Sequence, residues 1–333
     1  MSPETIGPYR ILEPLREGGV SSVYKAAGPA GSTVALKVFS PRLLDGAERP
    51  PGHPTSPGSA PRPTGDGAPP PAILARFHRE VGAIIPLKHP NILQVLATGE
   101  DGDYVYLATE LFAGVSLERL QKERRLTVPQ ALAVLRGLCR GLAFAHSRGF
   151  VHGHLSPRHL LVTADLGAVK IADFGPSEID VVSELDSTLR TGAYALGSLH
   201  YLAPEQAERR GAALDPRSDL YAAGVIFFEL LTGRPPGGRF SLPSQANAEL
   251  PPAADVIVLR CLARNPDERY PSANALLAAL DQLEEALRVR LLSHLRGISR
   301  FIGPAGSRRR ILLLAAAALL LAAVALAGYV LTR

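Results

Sequence analysis

Cysteine is nearly missing. Cys139 and Cys261 are the only two in 333 residues, and each falls inside an apolar run of helical spacing. A disulfide framework and a cysteine-ligated metal site are thereby excluded, and buried free thiols in a reducing compartment are expected. The opening stretch MSPETIGPYR has no apolar core of the signal-peptide kind, so no secretory leader is expected. Acids are missing beyond Glu285, where eight arginines stand. Taking those eight charges from the formal +5 leaves −3 on the preceding part. The basicity therefore belongs to the tail, and nucleic acid, which calls for a basic face on the folded domain, is not expected as a partner.

What the chain does have is apolar residues, 46% of the total, enough for a sizeable core. One run, Ile311 to Leu331, is uncharged and apolar throughout. At 1.5 Å per residue it reaches about 30 Å, the thickness of a bilayer core. Arg308, Arg309 and Arg310 precede it directly. A single C-terminal transmembrane helix over 311–331 is expected, with the arginines holding everything before it in the cytoplasm. The basic segment 283–310, part of an amphipathic run, is expected to favour anionic lipid headgroups. Residues 49–71 are dominated by proline, glycine and small polar side chains. That composition buries too little apolar area to offset its ordering entropy, so a disordered surface insertion is expected there.

Before the insertion, YRILEPL, VYKAA and TVALKVF are short, β-rich and separated by glycine-containing turns, which predicts an antiparallel meander. After it, AILARFHREVGAIIPL has helical periodicity and YVYLATEL returns to strand. Beyond Gly114 the patterns are chiefly helical, as in VPQALAVLRGLCRGLAFAHSRG and SDLYAAGVIFFELLTG. An α+β architecture follows, a small β-rich lobe leading into a larger helical lobe with a ligand cleft between them.

Nine short motifs then occur in order: LREGGVSSV, VALKV, RFHREV, HPNIL, VHGHLSPRHLL, IADFG, LAPE, RSDLYAAGV and NPDERY. In this order they resemble the signature set of protein kinases, and their wording is most similar to the bacterial eukaryotic-like serine/threonine kinases. The resemblance covers residues 7–282 and implies a bilobal fold with ATP and Mg²⁺ as cofactors. It implies that Leu15, Gly18, Val23, Ala35, Lys37, Glu80, Thr109, Glu110, Leu111, Leu161 and Asp173 form the nucleotide site. In that scheme Lys37 pairs with Glu80 and meets phosphate oxygens, while Asp173 supplies the magnesium carboxylate. Glu205 with Arg269, and Asp219, take structural roles in the large lobe.

The same resemblance marks departures. His154 stands where the family's proton-accepting aspartate is expected, Ser156 where the phosphate-contacting lysine is, and His159 where a metal-holding asparagine is. Gly153 replaces an arginine that in many relatives clamps a phosphorylated activation segment. Ser183, Ser187, Thr188 and Thr191 are then expected to be ordinary polar loop residues. Arg16 takes the first position of the glycine-rich loop and Ser21 the third. A cation at the first position either blocks close backbone approach to nucleotide or itself reaches a phosphate. His152, His154 and His159 invite a metal site, but their spacing matches no ligand pattern and His152 resembles a packing histidine, so Asp173 is the only metal ligand expected.

The expected protein is a membrane-tethered pseudokinase, single-pass in the cytoplasmic membrane, acting on protein partners as a scaffold or allosteric element. A weakly active serine/threonine kinase, with His154 as base, is the alternative, and a metal-binding sensor is a third reading.

Overall fold

The computed structural model describes residues 4–16, 21–39, 71–102, 104–174, 199–208, 215–237 and 240–301. Strands β1 (Thr5–Ile6), β2 (Tyr9–Arg16), β3 (Ser21–Ala27), β4 (Thr33–Phe39), β5 (Val95–Asp101) and β6 (Tyr104–Glu110) pair antiparallel in one sheet, in the order β1-β2-β3-β4-β6-β5. The first four follow one another as a meander, because each connection is short enough to return the chain beside itself. Period-two alternation along β4 sorts its side chains. Val34, Leu36 and Val38 join Ile6, Tyr9, Ala26, Tyr106 and Ala108 in a small outer core. Phe39 packs on the opposite face, with Phe77 and Val81 of helix α1 (Pro71–Ile84) and Leu107 of β6. Lys37 shares that inner face by register.

The second layer is helical. It comprises α2 (Leu117–Glu123), α3 (Val128–His146), α4 (Pro204–Glu208), α5 (Pro216–Thr232), α6 (Pro243–Ala246), α7 (Pro252–Cys261) and α8 (Ala273–Phe301). A small sheet of β7 (Val115–Ser116), β8 (Leu160–Val162) and β9 (Val169–Ile171) lies at the junction. Helix α3 begins at a capping box, in which Thr127 and Gln130 satisfy each other's free backbone N–H groups. It buries Leu132, Leu135, Leu138 and Leu142 on one stripe. Helix α5 is apolar nearly all round, which suits a central, fully packed helix. Asp215 caps its start and Gly233, at φ 84°, its end. One continuous core runs from the inner face of the large sheet through α1 into these helices.

Gly224 on α5 lies against Cys261 of α7 so closely that an added Cβ would overlap the Cys261 Cβ. Gly224→Ala is expected to destabilise the fold by about 1–3 kcal/mol through overpacking. Gly82→Ala in α1 meets open space and is expected to stabilise by about 0.5–1 kcal/mol from helix propensity alone. Urea unfolding midpoints of the two variants should move in opposite directions.

Two boundaries differ from the sequence reading. Pro71, placed at the end of the insertion, opens α1 instead, since proline suits a helix's first turn. The end of the domain at 282 lies inside α8, which runs without interruption from Ala273 to Phe301. Leu276, Leu280 and Leu283 bury its first half. Asp281 and Glu284 pair with Arg136 of α3. Arg290 donates to the Leu250 and Ala248 carbonyls at 3.1 Å each. Among the described residues no helix is long and apolar enough to cross a membrane. The expected span 311–331 lies outside them, as do residues 49–70, Gly18, Ser183, Ser187, Thr188 and Thr191.

Candidate functional site

Alternation on β4 aims Lys37 at the junction of the two layers, where it is only 9% exposed. Its ammonium donates to Asp173 Oδ1 at 3.0 Å and lies 5.3 Å from the Phe39 ring centroid. Asp173 follows β9 with φ 60°, a left-handed conformation that aspartate tolerates better than most residues. Burial alone would raise the Asp173 pKa, but the Lys37 ammonium holds it below the usual carboxylate range. An ionised pair thus bridges the sheet and the helical layer. Glu80, also assigned to this site, lies half-buried on α1.

Around the pair, Val23 sits opposite Lys37 in the β3–β4 register, and Ala35 sits opposite Thr109 in the β4–β6 register. Thr109 Oγ1 lies 3.2 Å from the Glu110 carbonyl, and Leu161 is half-buried on β8. Leu15 and Leu111 are exposed, leaving apolar side chains open at the edge of the cleft. The Glu110 carboxylate accepts from the Gln94 backbone N–H and from Lys170 Nζ, both at 2.8 Å. It acts as a strut from β6 to β9. Arg16 is exposed at the end of β2, whereas Ser21 is buried at the start of β3.

The loop from Val151 to His159 carries the altered motif. Asp219, at the first turn of α5, accepts the His152 N–H at 2.9 Å and the Gly153 N–H at 2.8 Å. Its Oδ2 also lies 2.8 Å from His146 Nε2. Burial would push the Asp219 pKa up, yet these partners hold it low. Gly153 turns at φ 77°, which glycine adopts without the steric cost any other side chain would bring. Its carbonyl accepts from Gln206 Nε2 at 2.6 Å. Pro157–His159 then form a single 3₁₀ turn that brings residue 159 back over 152 and 154. The ring centroids of His154 and His159 are 4.9 Å apart, and those of His152 and His154 4.4 Å. Ser156 Oγ lies 3.2 Å from His159 Nδ1. Burial lowers the imidazole pKa values to about 4 for His152, about 4 for His154 and about 3 for His159, so all three rings are neutral at pH 7.

Arg269 is 1% exposed. It donates to Glu205 Oε1 at 2.7 Å and Oε2 at 2.6 Å, and to the carbonyls of Ala263, Arg217 and Arg264. This pair belongs to the helical layer and makes no contact with the Lys37–Asp173 pair. The structure thus brings Lys37, Asp173 and the three histidines to one junction, and places Glu205, Arg269 and Asp219 in its support.

Three contributors escape sequence reasoning. Lys170 looks like an ordinary strand lysine, and Gln206 carries no signal beyond its place after Glu205. The third is the role of His152. Read as a packing residue and set aside as a ligand, it is indeed buried at 2% exposed, yet its Nδ1 has no hydrogen-bond partner. One nitrogen of His152, one of His154 and one of His159 lie within 4.8 Å of one another. The sequence reading set His152 aside as a ligand, whereas the structure places its ring beside the other two: H-x-H-x₄-H has no regular-element spacing, and the 3₁₀ turn brings the three together.

Comparison with known proteins agrees with this arrangement. Residues 71–280 match the family described as "Protein kinase domain". The serine/threonine-protein kinase PknL of Mycobacterium tuberculosis is 34% identical over 295 residues, spanning 84% of this chain and 66% of that protein. A probable serine/threonine-protein kinase of Clostridium acetobutylicum is 28% identical over 292 residues, spanning 83% of this chain and 40% of that protein. The chain therefore matches 40% to 66% of these relatives' lengths. The crystal structure of the Mycobacterium tuberculosis PknI kinase domain superposes with a TM-score of 0.62 at 24% identity, covering 84% of this chain and 97% of that one.

Proposed function

Because the chain belongs to the protein kinase family, with bacterial serine/threonine kinases among its relatives, we propose that it is a membrane-tethered member that binds nucleotide but has lost phosphoryl transfer, and that it signals through protein partners. The observation carrying this reading is the contrast between the two halves of the site. Lys37 and Asp173 stand paired at 3.0 Å, while the proton-accepting position is occupied by a half-buried, neutral imidazole, His154. A base with a pKa of about 4 lies well below the operating pH and has little drive to take a hydroxyl proton. That weighs against the alternative of a weakly active kinase using His154. Tethering rests on the apolar span 311–331 and the arginines before it. Those arginines also suit anionic lipid headgroups.

Magnesium fits this cleft at one position only. It is a hard ion that wants oxygen ligands, and Asp173 supplies one carboxylate. His159, at the other family ligand position, offers a nitrogen that magnesium binds poorly. When bound with ATP the ion neutralises phosphate charge. The chain's own part is to hold the phosphates through Lys37 and to fix the ion through Asp173.

The test is nucleotide-dependent stability. ATP at about 100 times its dissociation constant is expected to stabilise the full chain by about 2.7 kcal/mol, read as a rise in unfolding temperature. Lys37→Met is expected to abolish that rise. An unfolding temperature indifferent to ATP, with and without Mg²⁺, would overturn nucleotide binding.

A further inference from the structure

We infer that His152, His154 and His159 form a three-histidine site for a zinc-class divalent metal ion, with further coordination left to water or a nearby oxygen donor. The first support is convergence, one ring nitrogen from each residue lying within 4.8 Å of the others. The second is the orphaned Nδ1 of His152, a buried polar atom with no hydrogen-bond partner. Such an atom is costly unless something meets it.

The third is how two of the rings spend their remaining nitrogen. His152 Nε2 lies 3.0 Å from the Ala172 carbonyl. His159 Nδ1 lies 3.2 Å from Ser156 Oγ, which can accept. An imidazole that donates from one nitrogen presents a bare lone pair at the other, which is how outer partners prepare metal-binding histidines.

Three imidazoles suit zinc and its neighbours and suit magnesium poorly. Tetrahedral zinc with bonds of about 2.0–2.1 Å sets its nitrogens about 3.3 Å apart, so the cluster must close by at most about 1.5 Å. Rotation of the half-buried His154 and His159 rings supplies that closure. The Asp173 and Asp219 carboxylates attract an added cation, while the Lys37 and Arg158 charges oppose it. These opposing charges leave the imidazole donors to decide affinity and selectivity.

This site does not depend on the phosphoryl-transfer reading, and its test needs no activity. The full chain, stripped by chelator, is titrated with Co²⁺ and then Zn²⁺. The expected result is uptake of one equivalent with visible cobalt absorption, displaced by zinc and unaffected by excess Mg²⁺. His154→Gln and His159→Asn are each expected to weaken uptake by at least about 100-fold, the upper end of what losing an outer-shell partner alone costs. Wild-type unfolding temperature with added Zn²⁺ gives a second readout, since binding to the folded chain must raise it. Absence of one-equivalent uptake by the wild type, uptake that survives the double variant, or an unfolding temperature that zinc fails to raise would overturn the site.

Discussion

Incubated with labelled ATP, Mg²⁺ and a basic protein substrate, the purified chain is expected to transfer phosphate at least about 10³-fold more slowly than the roughly 1–100 s⁻¹ of working kinases. A positioned base contributes about 10²- to 10⁴-fold, roughly 3–5 kcal/mol of barrier at 1.36 kcal/mol per decade. Clamps on developing charge contribute comparable amounts each. Here the base position is His154 and the clamp positions are Ser156 and His159, with Ser156 Oγ turned to His159 Nδ1 at 3.2 Å. Groups that act as a unit are not additive, so losing all three costs less than the product of the separate losses and no less than the largest. His154→Ala is accordingly expected to leave the residual signal unchanged. Label that persists in Asp173→Asn belongs to a contaminant. Transfer within tenfold of an ordinary kinase, lost in His154→Ala, would sink the proposed function while leaving the metal site untouched.

The largest stability effect is expected at the Arg269–Glu205 pair. Glu205→Ala leaves a guanidinium that is 1% exposed without its only carboxylate partner among the described residues. Stranding a buried charge costs about 3–5 kcal/mol, or roughly 10 °C in unfolding temperature for a domain this size. The ordering of variants discriminates further. Arg269→Met added to Glu205→Ala removes the stranded charge, so the double variant is expected to be more stable than Glu205→Ala alone. Thermal unfolding of the three proteins checks it, and a double variant less stable than Glu205→Ala would show that the three carbonyl contacts of Arg269 outweigh its charge.

The bilobal arrangement was legible because two patterns separate cleanly. YRILEPL and TVALKVF are short β-rich runs bounded by glycine-containing turns, while QALAVLRGLCRGLAFAH repeats at helical spacing. The end of the domain was not legible. The run after Ala273 keeps its apolar spacing past residue 282, with no glycine or proline until Gly297 to halt it, and the helix continues accordingly. The three histidines were noticed together, but how their rings meet was not legible, for a different reason. Residues 152, 154 and 159 share no helical or strand face, and only the 3₁₀ turn at Pro157 together with the Asp219 anchor fixes how the chain folds back. Lys170 was missed because its partner Glu110 lies 60 residues away, a separation that no local pattern reveals.

Helix α8 also has a mechanical consequence. It is seated on α3 through the pairs of Asp281 and Glu284 with Arg136 and is tied down as far as Arg290 by the Leu250 and Ala248 carbonyls, and about 16 Å of rod extends from there to Phe301 at 1.5 Å per residue. A tilt of about 5° at the seat sweeps the tip through roughly 1.4 Å. By the same geometry, a tilt of the seat would be felt first at α3, whose last residue, His146, lies 2.8 Å from Asp219, the carboxylate that holds the His152 N–H. The helix is thus a lever arm whose seat on α3 stands one hydrogen-bonded link from the loop carrying His152 and Gly153.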